Sequence, residues 1–277
     1  MIKIIADSSH DMTEKLKENL KVDLIPFKLL LDGKEYTDDA KLDIDSFRDD
    51  MMNSKKAGSA CPSPNDFIEK FKEMGDMFAI TISSKLSGTY NSAILAKQIF
   101  EEEHDKDKKI HIFDSKCASI GETLISVKIR ELMEKSFSFE EIVEKVEKYI
   151  ANMQTYFISE SLENLMKNGR ISRFKGTLAM FMHVKPIMGT NDEGEIILFE
   201  KVRGSNKAFN RLADMIFEKG EDFSERILAI SHADNEERAL SLKKALLERG
   251  KFKDILIVPT KGLSTLYVDN KGIIISY

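Results

Sequence analysis

The sequence predicts an α/β protein built from two α/β domains. Short apolar runs of strand length alternate along the chain with amphipathic segments of helix length, which is typical of helices layered on largely parallel sheets. The 277 residues suffice for one large or two ordinary domains. Apolar residues make up 42% of the chain and charged residues 32%, as in an ordinary globular protein.

Ten apolar runs are the strand candidates, and apolar residues recur at helical spacing between them, as in Leu240, Leu242 and Leu246. The turns Asp32-Gly33 and Glu193-Gly194 are typical of hairpins, so each predicts an antiparallel addition to a parallel sheet. The strand candidates are residues 2–6, 22–31, 77–82, 109–113, 154–159, 184–189, 195–199, 226–231, 253–258 and 273–276.

A capped helix marks the predicted domain boundary. Ser138 lies three residues before Glu141, which is the spacing of a capping box, and an amphipathic segment follows. We place the boundary just after this segment. The prediction is an N-terminal domain over residues 1–150, with a largely parallel sheet flanked by helices, and a C-terminal mixed α/β domain over residues 151–277.

Composition and charge exclude several classes of protein. The net charge of −5 argues against a surface that binds nucleic acid over the whole protein. With only Cys61 and Cys117 and no C-x-x-C motif, neither a disulfide framework nor a zinc cluster is indicated. The N-terminus lacks the pattern of a signal peptide, and no apolar run approaches the ~18–20 residues of a membrane span. We therefore expect a cytoplasmic protein without a metal or other cofactor.

Serine and threonine follow several of the predicted strands, most densely in the turn after residues 77–82. In open α/β sheets the ligand crevice lies beyond the carboxyl ends of the strands. A single hydroxyl suffices to cap the next helix, so four of them leave both capping and ligand contact open. Gly88 would let a ligand approach the backbone closely. The turn contains Ser83, Ser84, Ser87, Gly88 and Thr89, and the first strand also ends in Asp7-Ser8-Ser9.

Two further segments are candidates for ligand contact. In residues 57–67, Ser59 precedes any helix-cap position, which favours a contact over a cap. In residues 165–188, basic residues are followed by a Met- and Phe-rich stretch, which fits either a core helix with a basic first loop or a site for an amphipathic anion. The residues of this second segment are Arg170, Arg173, Lys175, Leu178, Met180, Phe181, Met182 and Val184.

These segments, in this order, resemble the DegV family of bacterial fatty-acid-binding proteins. The matching motifs span nearly the whole chain: "ADSSHDM", "GSACPSPNDF", "ISSKLSGTYNSA", "IFDSKCAS", "LMKNGRIS" and "KVRGSNKA". The resemblance implies two α/β domains with a long-chain fatty acid, such as palmitate, in a buried tunnel between them. It also implies that the protein is not an enzyme, but presents the acid to a separate fatty acid kinase that forms an acyl phosphate for phospholipid synthesis.

Carried over residue by residue, the resemblance assigns the fatty-acid carboxyl group to Ser59 and to Ser87 with Gly88 beside it. Arg170 corresponds to a family arginine near the head group or the kinase-docking face. The chain departs from the family in two places. Ser59-Ala60-Cys61-Pro62 replaces the usual Thr-Ser-Gln-Pro. Tyr267 stands where the family has a histidine of the head-group network, so the role of Tyr267 and the kinase step are open.

Two other classes of function remain open at this point. A hydrolase would need a nucleophile and a base, for which Ser172-x-x-Lys175 is the candidate motif. A regulatory module, with or without lipid, would dock an acidic partner on a basic surface. That surface would consist of Arg170, Arg173, Lys175, Arg203, Lys207 and Arg211. Acyl chain length, unsaturation and oligomeric state do not follow from the sequence.

Overall fold

The protein is described from a computed structural model over residues 2–171, 184–218 and 222–277. These ranges contain thirteen strands and ten helices. The strands are β1 (Ile2–Asp7), β2 (Val22–Ile25), β3 (Lys28–Leu31), β4 (Lys34–Thr37), β5 (Ala57–Ala60), β6 (Asp76–Thr81), β7 (Ile110–Asp114), β8 (Thr155–Ile158), β9 (Val184–Thr190), β10 (Ile196–Arg203), β11 (Ile227–His232), β12 (Asp254–Pro259) and β13 (Ile273–Ser276). The helices are α1 (Glu14–Leu20), α2 (Ile44–Asn53), α3 (Pro64–Phe71), α4 (Thr89–Glu103), α5 (Ile120–Glu134), α6 (Phe139–Asn152), α7 (Glu163–Lys167), α8 (Ser205–Phe217), α9 (Glu236–Leu247) and α10 (Gly262–Val268).

The N-terminal half forms a four-stranded parallel sheet in the order β2-β1-β6-β7. Helices cover both faces of this sheet. Alternate side chains of a strand point to opposite faces, and here both sets are apolar and need cover. On β1, Ile4 and Ala6 pack with α5 and α6, whereas Ile5 packs with α3 and α4. The predicted parallel α/β layer is confirmed.

The C-terminal half forms a six-stranded mixed sheet in the order β10-β9-β8-β13-β11-β12. One face packs against α8 and α9 through residues such as Ile158 and Ile275. The other face, with Phe157 and Ile274, packs toward α5, α7 and α10. This second face therefore looks toward the parallel sheet's helices and leaves room for a ligand between the two halves.

A third, antiparallel sheet in the order β4-β3-β5 differs from the sequence prediction. The run at 22–31 is two strands in two sheets, because Pro26 has no N–H to donate and interrupts the ladder. The pattern of apolar residues missed β4 and β5, since "KEYT" and "AGSA" hold few apolar side chains. β5 carries Ser59, so this small sheet positions a candidate site residue.

Both predicted hairpins and the predicted cap are present, but the hairpin at Asp32-Gly33 belongs to the separate antiparallel sheet and is not an addition to a parallel one. β3 pairs antiparallel with β4 across Asp32-Gly33, and β9 pairs antiparallel with β10 across Glu193-Gly194. Ser138 and Glu141 form both hydrogen bonds of a capping box at the start of α6. The division into two domains near residue 150 stays a prediction.

Across the three described ranges, the helices are too short or too polar to cross a lipid bilayer.

Candidate functional site

A cavity lies between the carboxyl ends of the parallel strands and the inner face of the mixed sheet. The space between its walls, including the mouth, measures about 720 Å³. Its walls consist of Ser9, Phe27, Ser59, Ile82, Leu86, Ser87, Ala118, Ser119, Thr155, Phe157, Leu165, Arg170, Thr190, Ile196, Leu263, Ser264, Tyr267, Val268 and Ile274.

Four of the five residues selected from the sequence line this one cavity. The hydroxyls of Ser59 and Tyr267 are hydrogen-bonded, with 2.9 Å between Oγ and Oη. The Arg170 guanidinium lies 5.5 Å from the centre of the Tyr267 ring, and its Nε donates to the Leu86 carbonyl oxygen at 3.1 Å. Ser87 follows Leu86 directly in the chain and also lines the cavity. Hydroxyls and one cation therefore converge on one part of the cavity.

Gly88 is not among the lining residues. It is exposed, it is the N-cap of α4, and its φ of −74° suits any residue. A Cβ added there would lie 3.5 Å from Cys61 Sγ, which is an ordinary contact distance. Neither backbone strain nor crowding therefore requires glycine at this position.

The other hydroxyls of the serine-rich turn are engaged in structural hydrogen bonds. Ser83 Oγ is buried and donates to the Gly194 carbonyl oxygen at 2.8 Å, which joins the turn to the β9–β10 hairpin. Ser84 binds the Asp114 carboxylate through both its N–H and its hydroxyl. Thr89 is buried and bonds Ser87 Oγ at 2.8 Å. Of the hydroxyl-bearing residues of this turn, only Ser87 lines the cavity, so structural bonding and ligand contact are divided among them.

Much of the remaining cavity wall is apolar. Phe157, Ile196 and Ile274 contribute from the mixed sheet, and Phe27 and Ile82 contribute from segments that follow β2 and β6. Such a wall offers few hydrogen bonds to a polar ligand but takes up hydrocarbon surface favourably. The cavity can therefore hold a ligand with a long apolar part and one polar end.

Sequence reasoning did not select several polar lining residues, among them Ser119, Thr155, Thr190 and Ser264. Ser119 N–H donates to Ser9 Oγ at 3.1 Å, and the Ser264 hydroxyl donates to the Ser9 carbonyl oxygen at 3.4 Å. Thr155 bonds Ser276 at 2.8 Å. The one sequence pattern that pointed to this part of the cavity was the serine-rich strand end Asp7-Ser8-Ser9. The other lining hydroxyls stand at positions that resemble helix caps or ordinary strand residues.

Four buried carboxyl groups lie next to the cavity without lining it: Asp7, Asp11, Asp38 and Glu122. Asp7 accepts hydrogen bonds from the N–H groups of Ser9 and Ile82, so it fixes two turns that carry lining residues. Burial raises the pKa of Asp7 and of Asp11 to about 7, and that of Asp38 to about 6. Burial raises the pKa of Glu122 well above its usual value, also because Asp7 lies nearby.

The predicted basic surface is not one patch. Arg211 lies on α8, on the face of the mixed sheet opposite to Phe157, and forms ion pairs with Glu200 and Glu218. Arg170 lies at the cavity instead. The hydrolase pair Ser172 and Lys175, together with Arg173, Leu178, Met180, Phe181 and Met182, lies outside the described residues. Among the described residues, no group of three or more His, Cys, Asp or Glu side chains could hold a metal ion.

Comparisons with known proteins agree with this architecture. The family model of the DegV proteins matches residues 1–277. A DegV domain-containing protein of Streptococcus pneumoniae strain R6 is 32% identical over 278 residues, covering 99% of this chain and 98% of the relative.

Three solved structures are similar over the full length of this chain. A DegV family protein of Ruminococcus gnavus with vaccenic acid is 37% identical, with a TM-score of 0.95, and 99% of it is covered. The Streptococcus pneumoniae fatty acid kinase B3 protein loaded with linoleic acid is 32% identical, with a TM-score of 0.91 and 99% coverage. A DegV family protein of Eubacterium eligens loaded with heptadecanoic acid is 27% identical, with a TM-score of 0.90 and 99% coverage. The chain belongs to the DegV family.

Proposed function

We propose that this protein binds one long-chain fatty acid in the cavity and presents it to a fatty acid kinase. The observation that carries the proposal is the convergence of Ser59, Ser87, Arg170 and Tyr267 on one part of an otherwise largely apolar cavity. The fatty acids in the structures of two relatives that are 37% and 32% identical support it. In this proposal the protein is a cytoplasmic carrier that needs no cofactor and has no catalytic residue.

The apolar wall can supply most of the binding free energy. Each buried methylene is worth about 0.8 kcal/mol, so ~15 of them set an upper bound of ~12 kcal/mol before the costs of ordering. The head group then needs only enough hydrogen bonds to offset its loss of water. A buried carboxylate without partners would cost several kcal/mol, and two hydroxyl donors offset much of that cost.

Ser59 and Ser87 are the proposed donors to the carboxylate, and Gly88 follows Ser87 in the chain without lining the cavity. Both hydroxyls are bound to another hydroxyl, Tyr267 and Thr89 respectively, so each can rotate its proton toward a ligand while its neighbour donates to it. Neutral donors hold a carboxylate less tightly than a bidentate arginine does. This suits a carrier whose ligand must react with a second protein.

Ser59→Ala and Ser87→Ala test the head-group assignment. Each should weaken palmitate binding about tenfold or more, because one hydrogen bond to a charged group is lost. Ser84→Ala is the matched control, since Ser84 lies in the same turn but is bonded to Asp114 and does not line the cavity. Isothermal titration with delipidated protein gives the three dissociation constants. Wild-type affinity in both Ser59→Ala and Ser87→Ala would refute the assignment.

Mass spectrometry of denatured, bacterially expressed protein tests ligand binding itself and gives the chain length. We expect one fatty acid per chain. A sample without any lipid, which also fails to bind added palmitate, would overturn the proposed function.

The kinase step is supported by the likeness to the Streptococcus pneumoniae fatty acid kinase B3 protein. Loaded protein, a purified fatty acid kinase and ATP should yield acyl phosphate, because the γ-phosphoryl group moves to the carboxylate oxygen and ADP leaves. If acyl phosphate forms equally fast from free palmitate without this protein, presentation is not its role.

A further inference from the structure

We propose that Asp38 and Asp11 are positioning residues for the head-group end of the cavity, which they set by holding the start of α10. The inference rests on the proposed function and extends it to residues that do not touch the ligand. α10 carries four lining residues, two of which bear hydroxyls. These four residues are Leu263, Ser264, Tyr267 and Val268.

The two carboxylates accept hydrogen bonds from three consecutive backbone N–H groups at the start of α10. Lys261 N–H donates to Asp11 Oδ1 at 2.6 Å. Gly262 N–H donates to Asp38 Oδ1 at 2.9 Å, and Leu263 N–H donates to Asp38 Oδ2 at 3.0 Å. N–H groups in a first helical turn have no partner within the helix, so they direct the helix toward whichever acceptors are fixed nearby.

Both acceptors are fixed by the N-terminal half of the chain. Asp38 Oδ2 also accepts from Ser8 Oγ at 2.9 Å, and Ser8 Oγ accepts from Phe27 N–H at 2.9 Å. Asp11 Oδ2 accepts from the Ser119 hydroxyl. Since Ser8 and Ser119 follow β1 and β7, the carboxyl ends of the parallel strands determine where α10 begins.

The far end of α10 is fixed as well. The Leu266 carbonyl oxygen accepts from Asn164 Nδ2 at 2.8 Å, and the Val268 carbonyl oxygen accepts from the Ser159 hydroxyl at 2.5 Å. The helix is therefore held at both ends, with the Tyr267 hydroxyl 2.9 Å from Ser59 Oγ.

Asp38 must be a carboxylate to make these contacts. It accepts three hydrogen bonds on two oxygens, whereas an amide has one acceptor oxygen and would point N–H toward N–H. The fit is close, since a Cβ added to Gly262 would lie 2.6 Å from Asp38 Oδ1 and 2.7 Å from Leu42 Cδ2. Loss of either contact would let the start of α10 shift and move the Tyr267 hydroxyl away from the head group.

Asp38→Asn tests the inference through head-group preference rather than affinity alone. Dissociation constants are measured for palmitate and for 1-hexadecanol, which has the same tail and no carboxylate. We expect the variant to lose palmitate affinity about fivefold or more, the factor that one average hydrogen bond is worth, and to keep its hexadecanol affinity within about twofold. A purely structural defect would weaken the binding of palmitate and of hexadecanol equally, and that result would overturn the inference.

Asp11→Ala is the second variant and should show the same selective loss for palmitate, because it removes the acceptor of the Lys261 N–H group. It decides the question if Asp38→Asn does not fold. Glu141→Gln is the matched control, because it removes a carboxylate that accepts from Ser138 N–H at 2.8 Å at the start of α6, a helix without lining residues. The control should keep the wild-type preference.

The outcomes separate the two proposals. Wild-type protein that binds no palmitate overturns the proposed function. Wild-type protein that prefers palmitate, with an unchanged preference in the folded aspartate variants, overturns the positioning role alone.

Discussion

Glu122 lies fully buried on α5, with one carboxylate oxygen 3.9 Å from Nδ1 of the equally buried His10. Neither side chain has a hydrogen-bond partner among the described residues. Burial raises the pKa of Glu122 and lowers that of His10 to about 3, so both groups favour their neutral forms in the folded protein. The folded chain then holds a proton on Glu122 that the unfolded chain has released above about pH 4.5.

We expect Glu122→Gln to stabilise the protein by about 1 kcal/mol or more at pH 8. Glutamine is neutral like the protonated carboxyl, but its folding does not require the uptake of a proton, which costs free energy at high pH. The sign follows from the raised pKa of Glu122: its destabilising effect grows as the pH rises above about 4.5, so the gain should shrink as the pH falls toward that value. Denaturant unfolding at pH 5 and pH 8 measures both differences.

Glu140→Gln is the control for this prediction. Glu140 is exposed, its Oε1 lies 2.6 Å from Lys109 Nζ, and the hydrogen bond from Lys109 lowers its pKa, so its replacement should bring no gain at either pH. A gain from Glu122→Gln that is the same at pH 5 and pH 8 would contradict the assigned protonation.

At the scale of residues, a site position could be predicted from the sequence where helix capping does not account for a hydroxyl. Ser59 and Ser87 were selected on that ground together with the family resemblance, and both line the cavity. Ser264 and Thr155 were not predicted as lining residues, because isolated hydroxyls in an apolar stretch resemble ordinary core residues. The role of Asp38 was not predicted, because its partners, Gly262 and Leu263, lie more than 220 residues further along the chain.

At the scale of elements, α6 shows how much a local pattern can predict. Its start follows from Ser138 and Glu141 alone, and both capping-box hydrogen bonds are present. We expect Ser138→Ala to lower the free energy of unfolding by about 1 kcal/mol, the usual value of an N-cap hydroxyl. Urea denaturation measures the loss.

Palmitate affinity should not change in Ser138→Ala, because no residue of α6 lines the cavity. Ser136→Ala is the companion variant, since Ser136 lies in the preceding turn and is not the cap. A similar loss of stability in both variants would show that the hydroxyl at 138 has no specific capping role.

Strands were predictable where burial alone defines them. β1, β6 and β11 are almost continuous apolar runs, since strands covered on both faces need apolar side chains in both directions. β4 and β5 lie in the small sheet, and their sequences contain too little apolar periodicity to be recognised. Their existence depends on pairing with β3, which is a tertiary effect.

At the scale of the whole molecule, the site depends on contacts that no local pattern contains. Ser59 and Tyr267 are 208 residues apart in sequence and share a hydrogen bond. The turn after β6 reaches the β9–β10 hairpin through Ser83 and Gly194, 111 residues apart. In the mixed sheet β8 pairs with β13, so the two ends of the chain's second half lie side by side, and each contributes a lining residue, Phe157 and Ile274.

A ligand held in the cavity between the two halves should link binding to global stability, because residues of both halves line it. A ligand that binds only the folded state stabilises it by RT ln(1 + [L]/Kd), about 2.7 kcal/mol at 100 times Kd. Delipidated protein should therefore melt at a lower temperature than protein with palmitate, and differential scanning calorimetry measures the difference.

A series of saturated fatty acids at one fixed concentration turns this link into a measure of the cavity. Each added methylene that finds apolar wall contributes up to ~0.8 kcal/mol, so melting temperature should rise with chain length and then level off once the cavity is filled. The head group is the same throughout the series, so the slope reports on the tail alone. Ser87→Ala should shift the whole curve down without changing the length at which it levels off, because Ser87 lies with the hydroxyls and the tail wall is untouched. A melting temperature that is independent of chain length would mean that the tail does not occupy this cavity.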